Sequence, residues 1–125
     1  MIFGIGTDIV EVERIKKISS VDKFAKKILS QNELNIFNEL SKDKKTFFLS
    51  KQFAGKEAVS KALGTGVGKE VSMKNIEILR DNKGKPIFNA IDELETFMCN
   101  LGITKTHVSL SDESNYAIAM VVLEK

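Results

Sequence analysis

Residues 53–66 read FAGKEAVSKALGTG. Ala54, Ala58, Val59, Ala62 and Leu63 recur at helical spacing, and the run ends in glycines, so it is predicted as the last turns of a helix with one buried stripe. Glu57 and Lys61 stand four residues apart with Lys56 beside them, just before the glycine-rich exit. On a solvated helix face such a pair contributes only about 0.3 kcal/mol. What lies opposite the cluster therefore decides its meaning.

Working outward, the helix is predicted from about Lys44 to Leu63, stopped by Gly64-Thr65-Gly66-Val67-Gly68. Upstream, Met1 to Val10 reads as an apolar strand interrupted by Gly4, Gly6 and Asp8. Short helices follow through residues 13–28 and 31–40, and Ser30 with Glu33 forms a capping box for the second. Downstream, Ile76 to Leu79 reads as a strand, Asp81-Asn82-Lys83-Gly84 as a turn into Pro86-Ile87-Phe88, and Ala90 to Leu101 as a helix. His107 to Ser111 and Tyr116 to Leu123 are strands of a hairpin joined by Asp112-Glu113-Ser114-Asn115. Without regular strand–helix alternation, this pattern predicts an α+β fold: a small, antiparallel-rich sheet packed on a long helix and several short ones. With no repeats and no long linker, residues 1–125 are expected to form one domain.

Composition narrows the function classes. Hydrophobic residues make up 42% and charged residues 29%, the ordinary globular range. No apolar run spans a bilayer, and MIFGIGTDIV lacks a basic leader and cleavage site, so a cytoplasmic protein without membrane association is expected. Cys99 is the one cysteine, which excludes an internal disulfide and, with a single histidine, a Cys/His zinc site within the chain. It is expected as a small core filler in its amphipathic helix. Between Arg14 and Lys27 there are six basic residues against one acid, Asp22, with Ile15, Ile18, Phe24 and Ile28 at helical spacing. Such a stretch suits a membrane surface, nucleic acid or an acidic protein, or is simply a solvated face.

Three segments have the makings of a site. In GIGTDIV, residues 4–10, the strand period puts Gly4, Gly6 and Asp8 on one face. Paired glycines point to close approach by backbone or ligand, and the carboxylate in an apolar run needs a metal ion or a basic partner. A crossing helix and a lysine would satisfy both demands equally. In the opening stretch, the phosphate-loop pattern fails because it requires Gly at position 63 and Ser or Thr at position 70, where Leu63 and Glu70 stand. What remains is Glu57 with Lys56 and Lys61 beside a loop of free N–H groups. Mg²⁺ typically takes one or two carboxylates, so Asp8 and Glu57 suffice if the fold joins them. In HVSLSD, residues 107–112, His107, Ser109 and Ser111 share a strand face, but no nucleophile elbow supports a hydrolase triad.

Together, GIGTDIVEVERI, FAGKEAVSKALGTG, the GKP of residues 84–86 and HVSLSDESNYAIAMVV closely resemble the holo-(acyl-carrier-protein) synthase family, the small phosphopantetheinyl transferases. The likeness runs in order over essentially the whole chain. It implies the 4′-phosphopantetheinyl transferase fold and transfer of the phosphopantetheine arm of coenzyme A to a serine of an acyl carrier protein, releasing adenosine 3′,5′-bisphosphate. The nucleophile then belongs to the substrate. The resemblance puts Mg²⁺ on Asp8 and Glu57. It puts coenzyme A phosphates at Lys44 and Lys61, close backbone contact at Gly64-Thr65-Gly66, the adenine end at Lys85-Pro86, and a cofactor-site histidine at His107. His107, Glu57 and a metal-held water are open as the base. Acidic carrier protein would dock on Arg14, Lys17, Lys23 and Phe24. Three chains would form a ring with sites between neighbours. Many relatives have Ser-His where this chain has Ser111-Asp112. The rival readings are a catalytically silent coenzyme A or nucleotide-binding domain of the same fold, and a basic nucleic-acid-binding module. The second lacks stacking chemistry, with no Trp and one Tyr.

Overall fold

The computed structural model describes residues 1–125. The elements in order are β1 (Ile2–Glu11), α1 (Val12–Lys16), α2 (Val21–Ile28), α3 (Gln31–Asn38), α4 (Lys42–Leu63), a 3₁₀ turn (Met73–Asn75), β2 (Ile76–Arg80), β3 (Pro86–Ala90), α5 (Glu93–Asn100), β4 (Lys105–Asp112) and β5 (Tyr116–Glu124). Antiparallel strands form one sheet in the order β1-β5-β4 and a separate β2-β3 hairpin. This is the expected α+β arrangement, with the antiparallel strands divided between two sheets. No helix is long and apolar enough to cross a membrane.

The glycines of β1 explain how α4 reaches the sheet. A Cβ built on Gly4 would lie 2.0 Å from the carbonyl oxygen of Ala62, and one on Gly6 would lie 1.9 Å from that of Ala58. Helix backbone therefore rests directly on strand backbone, a separation that excludes any side chain on the strand. The alanines complete the seat, since both are buried. Around this contact Val10, Val108, Ala119, Val121 and Leu123 of the sheet pack into the core. The other sheet face leaves Ile5, Ile9, Ile118 and Met120 exposed.

A polar network joins α3, α4 and β2 beneath the hairpin. Lys56 and Glu33 are both fully buried and 2.7 Å apart. Lys56 Nζ also donates to the carbonyls of Met73 and Ile76. Glu33 accepts from the backbone N–H of Ser30 and Ile78 and from the Gln52 amide. Every donor and acceptor of the pair is thus occupied, the condition under which a buried ion pair is tolerable. The Ser30–Glu33 capping box forms as expected, with its glutamate serving a second purpose in the core. Lys56, grouped with Glu57 and Lys61 by sequence, turns inward to this network. Burial is the largest influence on its ammonium and lowers its pKa, opposed by Glu33.

Other boundaries differ locally. α4 starts at Lys42 behind Ser41, and Ala90 belongs to β3 because it pairs with Ile76. Cys99 is exposed, not core, because α5 buries Leu94 and Met98 on its other side.

Two outcomes follow for stability. Gly6→Ala is expected to destabilise by about 3 kcal/mol or more in urea unfolding, against the gain of roughly 0.5–1 kcal/mol that alanine brings to an unobstructed strand. A stability equal to or above wild type would show that α4 does not rest on β1. Lys56→Met, which strands the Glu33 carboxylate, is expected to lose about 3–5 kcal/mol. Adding Glu33→Gln should then cost less than the sum of the single losses, measured as a double-mutant cycle.

Candidate active site

Asp8 follows Gly6 on the inner face of β1, where the close seat of α4 brings the helix's Glu57 and Lys61 against it. Lys61 Nζ lies 2.9 Å from Asp8 Oδ1 and donates to the Thr7 carbonyl at 3.0 Å. The Asp8 side chain is 16% exposed and that of Lys61 is 53% exposed, so the cluster opens to solvent on the lysine side. Glu57 sits one helical turn before Lys61. Burial first, and then the charge of Asp8, push its carboxyl above the ordinary 4.5, while Lys61 pulls it down. Two carboxylates from separate elements therefore repel each other across one lysine. Both demands read in GIGTDIV are met within the chain, the glycines by the crossing helix and Asp8 by Lys61.

The exit of α4 borders this cluster. Gly64, with φ 78°, caps the helix in the left-handed conformation, and its N–H reaches the carbonyls of Ser60 and Lys61. Residues 64–70, including Thr65 and Gly66, are exposed. Phe53, one turn before Glu57, forms an edge-to-face contact with Phe24 at 5.4 Å between ring centres. Arg14, Ile15, Lys17, Ile18, Phe24 and Phe53 line a groove there, apolar along its floor and basic at its rim. Lys23 is exposed beside Phe24 on α2.

Other sequence-predicted residues lie apart from Asp8 and Glu57 within one chain. Lys44 is exposed near the start of α4, about 20 Å along the helix from Glu57 at roughly 1.5 Å per residue. Lys85 and Pro86 belong to the β2–β3 hairpin, whose turn is held by Asp81 Oδ1 accepting from the Lys83 and Lys85 N–H groups at 2.9 Å. His107 projects from the outer face of the sheet, in the row Ile5–Val122–His107, whereas Asp8 shares the inner row with Ala119 and Leu110. Its Nε2 lies 2.7 Å from Glu124 Oε2. Asp112 lies 3.7 Å from Lys51.

Sequence reasoning missed Glu124 as a partner of His107, the Thr7 carbonyl as a partner of Lys61, and the Lys56–Glu33 pair. The first two depend on strand register and helix docking, which no local pattern encodes. The third had one legible signal: Glu33 was already marked as a capping residue.

The sequence model of the 4′-phosphopantetheinyl transferase superfamily matches residues 4–121. The chain belongs to that superfamily. Among its relatives is a holo-[acyl-carrier-protein] synthase of Shewanella denitrificans, 46% identical over 98% of each chain. The crystal structure of the Neisseria meningitidis holo-[acyl-carrier-protein] synthase superposes with a TM-score of 0.91 at 42% identity, covering 100% of both chains. A Bacillus anthracis holo-(acyl-carrier-protein) synthase in complex with CoA (3′,5′-ADP) matches with a TM-score of 0.84 at 44% identity, covering 98% of this chain and 96% of that one. These full-length matches make the chain a transferase.

The raised Glu57 carboxyl has a testable sign. A carboxyl that binds its proton more tightly in the folded chain stabilises the fold fully below its unfolded value and loses that contribution as pH rises through its folded value. Glu57→Gln is therefore expected to raise the melting midpoint near pH 8 by about 2 °C, with no gain near pH 4. Calorimetry at both pH values, without divalent cations, checks this. A midpoint lowered near pH 8 would contradict the repulsion between Glu57 and Asp8.

Proposed function

We propose that this protein transfers the 4′-phosphopantetheine arm of coenzyme A to a serine hydroxyl of apo acyl carrier protein, with Asp8, Glu57 and Lys61 at the reacting centre. The observation that carries this reading is the Asp8–Lys61 ion pair, one helical turn from Glu57 and beside an exposed glycine loop. The named relatives support the choice of substrates, since they are holo-[acyl-carrier-protein] synthases and one of them holds CoA (3′,5′-ADP).

The donor set fits a divalent cation. Asp8 and Glu57 are hard oxygen ligands, few enough to leave room for water and phosphate oxygens, and a cation held by both would offset their repulsion. Mg²⁺ bound there supplies charge neutralisation for the pyrophosphate. With Asp8 engaged by the cation, Lys61 would be free to meet a phosphate oxygen. The exposed loop after the cap offers the backbone N–H groups of Thr65 and Gly66, and at Gly66 no side chain holds a phosphate away. In phosphoryl-type transfer such positioning and neutralisation carry most of the rate.

The groove beside Phe53 supports docking of an acidic carrier. Arg14, Lys17 and Lys23 attract the carrier protein, and the apolar floor with Phe24 receives an apolar face of it. Phe53 and Glu57 are one turn apart on α4, so a carrier held there brings its serine to the carboxylates.

The exposed outer sheet face supports a homotrimer. Ile5 is 64% exposed, Ile9 60% and Met120 53%, an apolar sheet surface of the kind that association covers. Packing across it brings His107 of one copy to the Asp8–Glu57 cluster of its neighbour. Lys44, Lys85 and Pro86, remote from that cluster within one chain, then serve coenzyme A across the same boundary. The absence of a membrane-spanning helix agrees with action in the cytoplasm on a freely diffusing carrier.

Intact mass spectrometry of an apo acyl carrier protein incubated with this protein, coenzyme A and Mg²⁺ is expected to show the gain of one phosphopantetheine arm, absent with chelator. Asp8→Ala and Glu57→Ala should each reduce transfer by at least about a thousandfold, the scale of losing a positioned charge at a reacting phosphate. Normal turnover in either variant would sink the assignment. Co-refolding Asp8→Ala with His107→Ala should restore about a quarter of wild-type activity, the share of neighbour boundaries that reunite two intact halves in a random ring. No recovery would place both residues' work within one chain.

A further inference from the structure

We propose that Glu124 is a positioning residue for His107, fixing the imidazole with its hydrogen on Nε2 so that Nδ1 is the nitrogen offered to the reacting groups. This rests on the reading above that His107 belongs to the site. The glutamate stands at the end of β5, and no sequence motif singles it out.

The assignment comes from the chemistry of the contact. His107 Nε2 and Glu124 Oε2 are 2.7 Å apart, a charge-assisted hydrogen-bond length. An ionised carboxylate only accepts, so the ring nitrogen facing it must carry the hydrogen. Glu124 is ionised: the hydrogen bond from His107 holds its carboxyl below the usual carboxylate range against a smaller opposing effect of burial. The charges of Lys105 and the N-terminal ammonium act in the same direction as the hydrogen bond. With Nε2–H engaged, the lone pair of the neutral ring lies on Nδ1. The same contact fixes the ring plane, since His107 is more than half exposed and has no other hydrogen-bonded partner among its side-chain contacts.

The register explains why this glutamate can reach. His107 stands opposite Val122 and Lys105 opposite Glu124. The pair is therefore a diagonal across two antiparallel strands, within reach of long side chains.

The chain has a single histidine, so its imidazole nitrogen signals need no assignment. Nitrogen NMR of the neutral ring is expected to show the Nε2–H tautomer alone in wild type, a mixture of tautomers in Glu124→Ala, and mostly Nε2–H again in Glu124→Gln, which keeps an acceptor. Carrier-protein transfer should fall about tenfold in Glu124→Ala, and less in Glu124→Gln, the scale of one exposed charged hydrogen bond. In a His107→Ala background Glu124→Ala should have no further effect. An Nδ1–H tautomer in wild type, or tautomers unchanged by Glu124→Ala, would overturn the proposal. So would an equal loss of transfer with and without His107. Should His107→Ala itself transfer normally, the placement of His107 in the site falls, and the tautomer populations still decide whether Glu124 orients the ring.

Discussion

The close contact between the backbones of β1 and α4 is the constraint on which this molecule depends. Gly4 and Gly6 have no side chain because the carbonyl oxygens of Ala62 and Ala58 occupy the space one would fill. Two consequences follow from one packing decision. The helix comes low enough on the sheet for Val59, Ala62 and Leu63 to be buried with Val121 and Leu123. It also comes low enough for Lys61 to reach both Asp8 and the Thr7 carbonyl. A bulkier strand would raise the helix and separate the two carboxylates. The stability of the core and the composition of the site are therefore set by the same contact.

Helix α4 also shows how surroundings, not residue type, set the use of a charge. Lys56, Glu57 and Lys61 lie within two turns of each other. Lys56 is fully buried and its three donors are consumed by Glu33 and two carbonyls, which leaves it nothing to offer a ligand. Lys61 is half exposed and holds Asp8 at the solvent side of the cluster. Glu57, between them in sequence, is opposed by Asp8 more than it is relieved by Lys61. One lysine is structural and the other available because rotation around the helix sends one beneath the β2–β3 hairpin and the other to the edge strand.

The sheet has a similar division between its faces. Its inner face carries Asp8 among core residues, and its outer face carries His107 among exposed isoleucines and a methionine. Residues that the family resemblance assigns to one cofactor site are thus on opposite sides of a single chain. In the ring of copies proposed above, the two faces would meet at the boundary between neighbours. That proposal would also give the outer-face pair of His107 and Glu124 a purpose beyond surface charge.

Much of the molecule was legible beforehand. Helical and strand periods located all the main elements, and Gly64 ended α4 as the left-handed cap that its position required. The ordered motifs pointed to the superfamily to which the chain belongs. Asp8, Glu57 and Lys61 stand out in the sequence as chemistry-bearing residues, yet the dozens of residues that separate Asp8 from the other two say nothing of contact. Cys99 and Lys56 were misread because a helical period shows that a helix has faces without showing which neighbours cover each one. By itself the sequence determined the elements, the family and the residue types available for phosphate and metal chemistry, since these follow from local periodicity and side-chain identity. Only the tertiary structure decided that Asp8 meets Lys61, that Lys56 is sealed in the core and that Glu124 meets His107. Those pairings arise from helix docking and strand register, which bring together residues far apart along the chain.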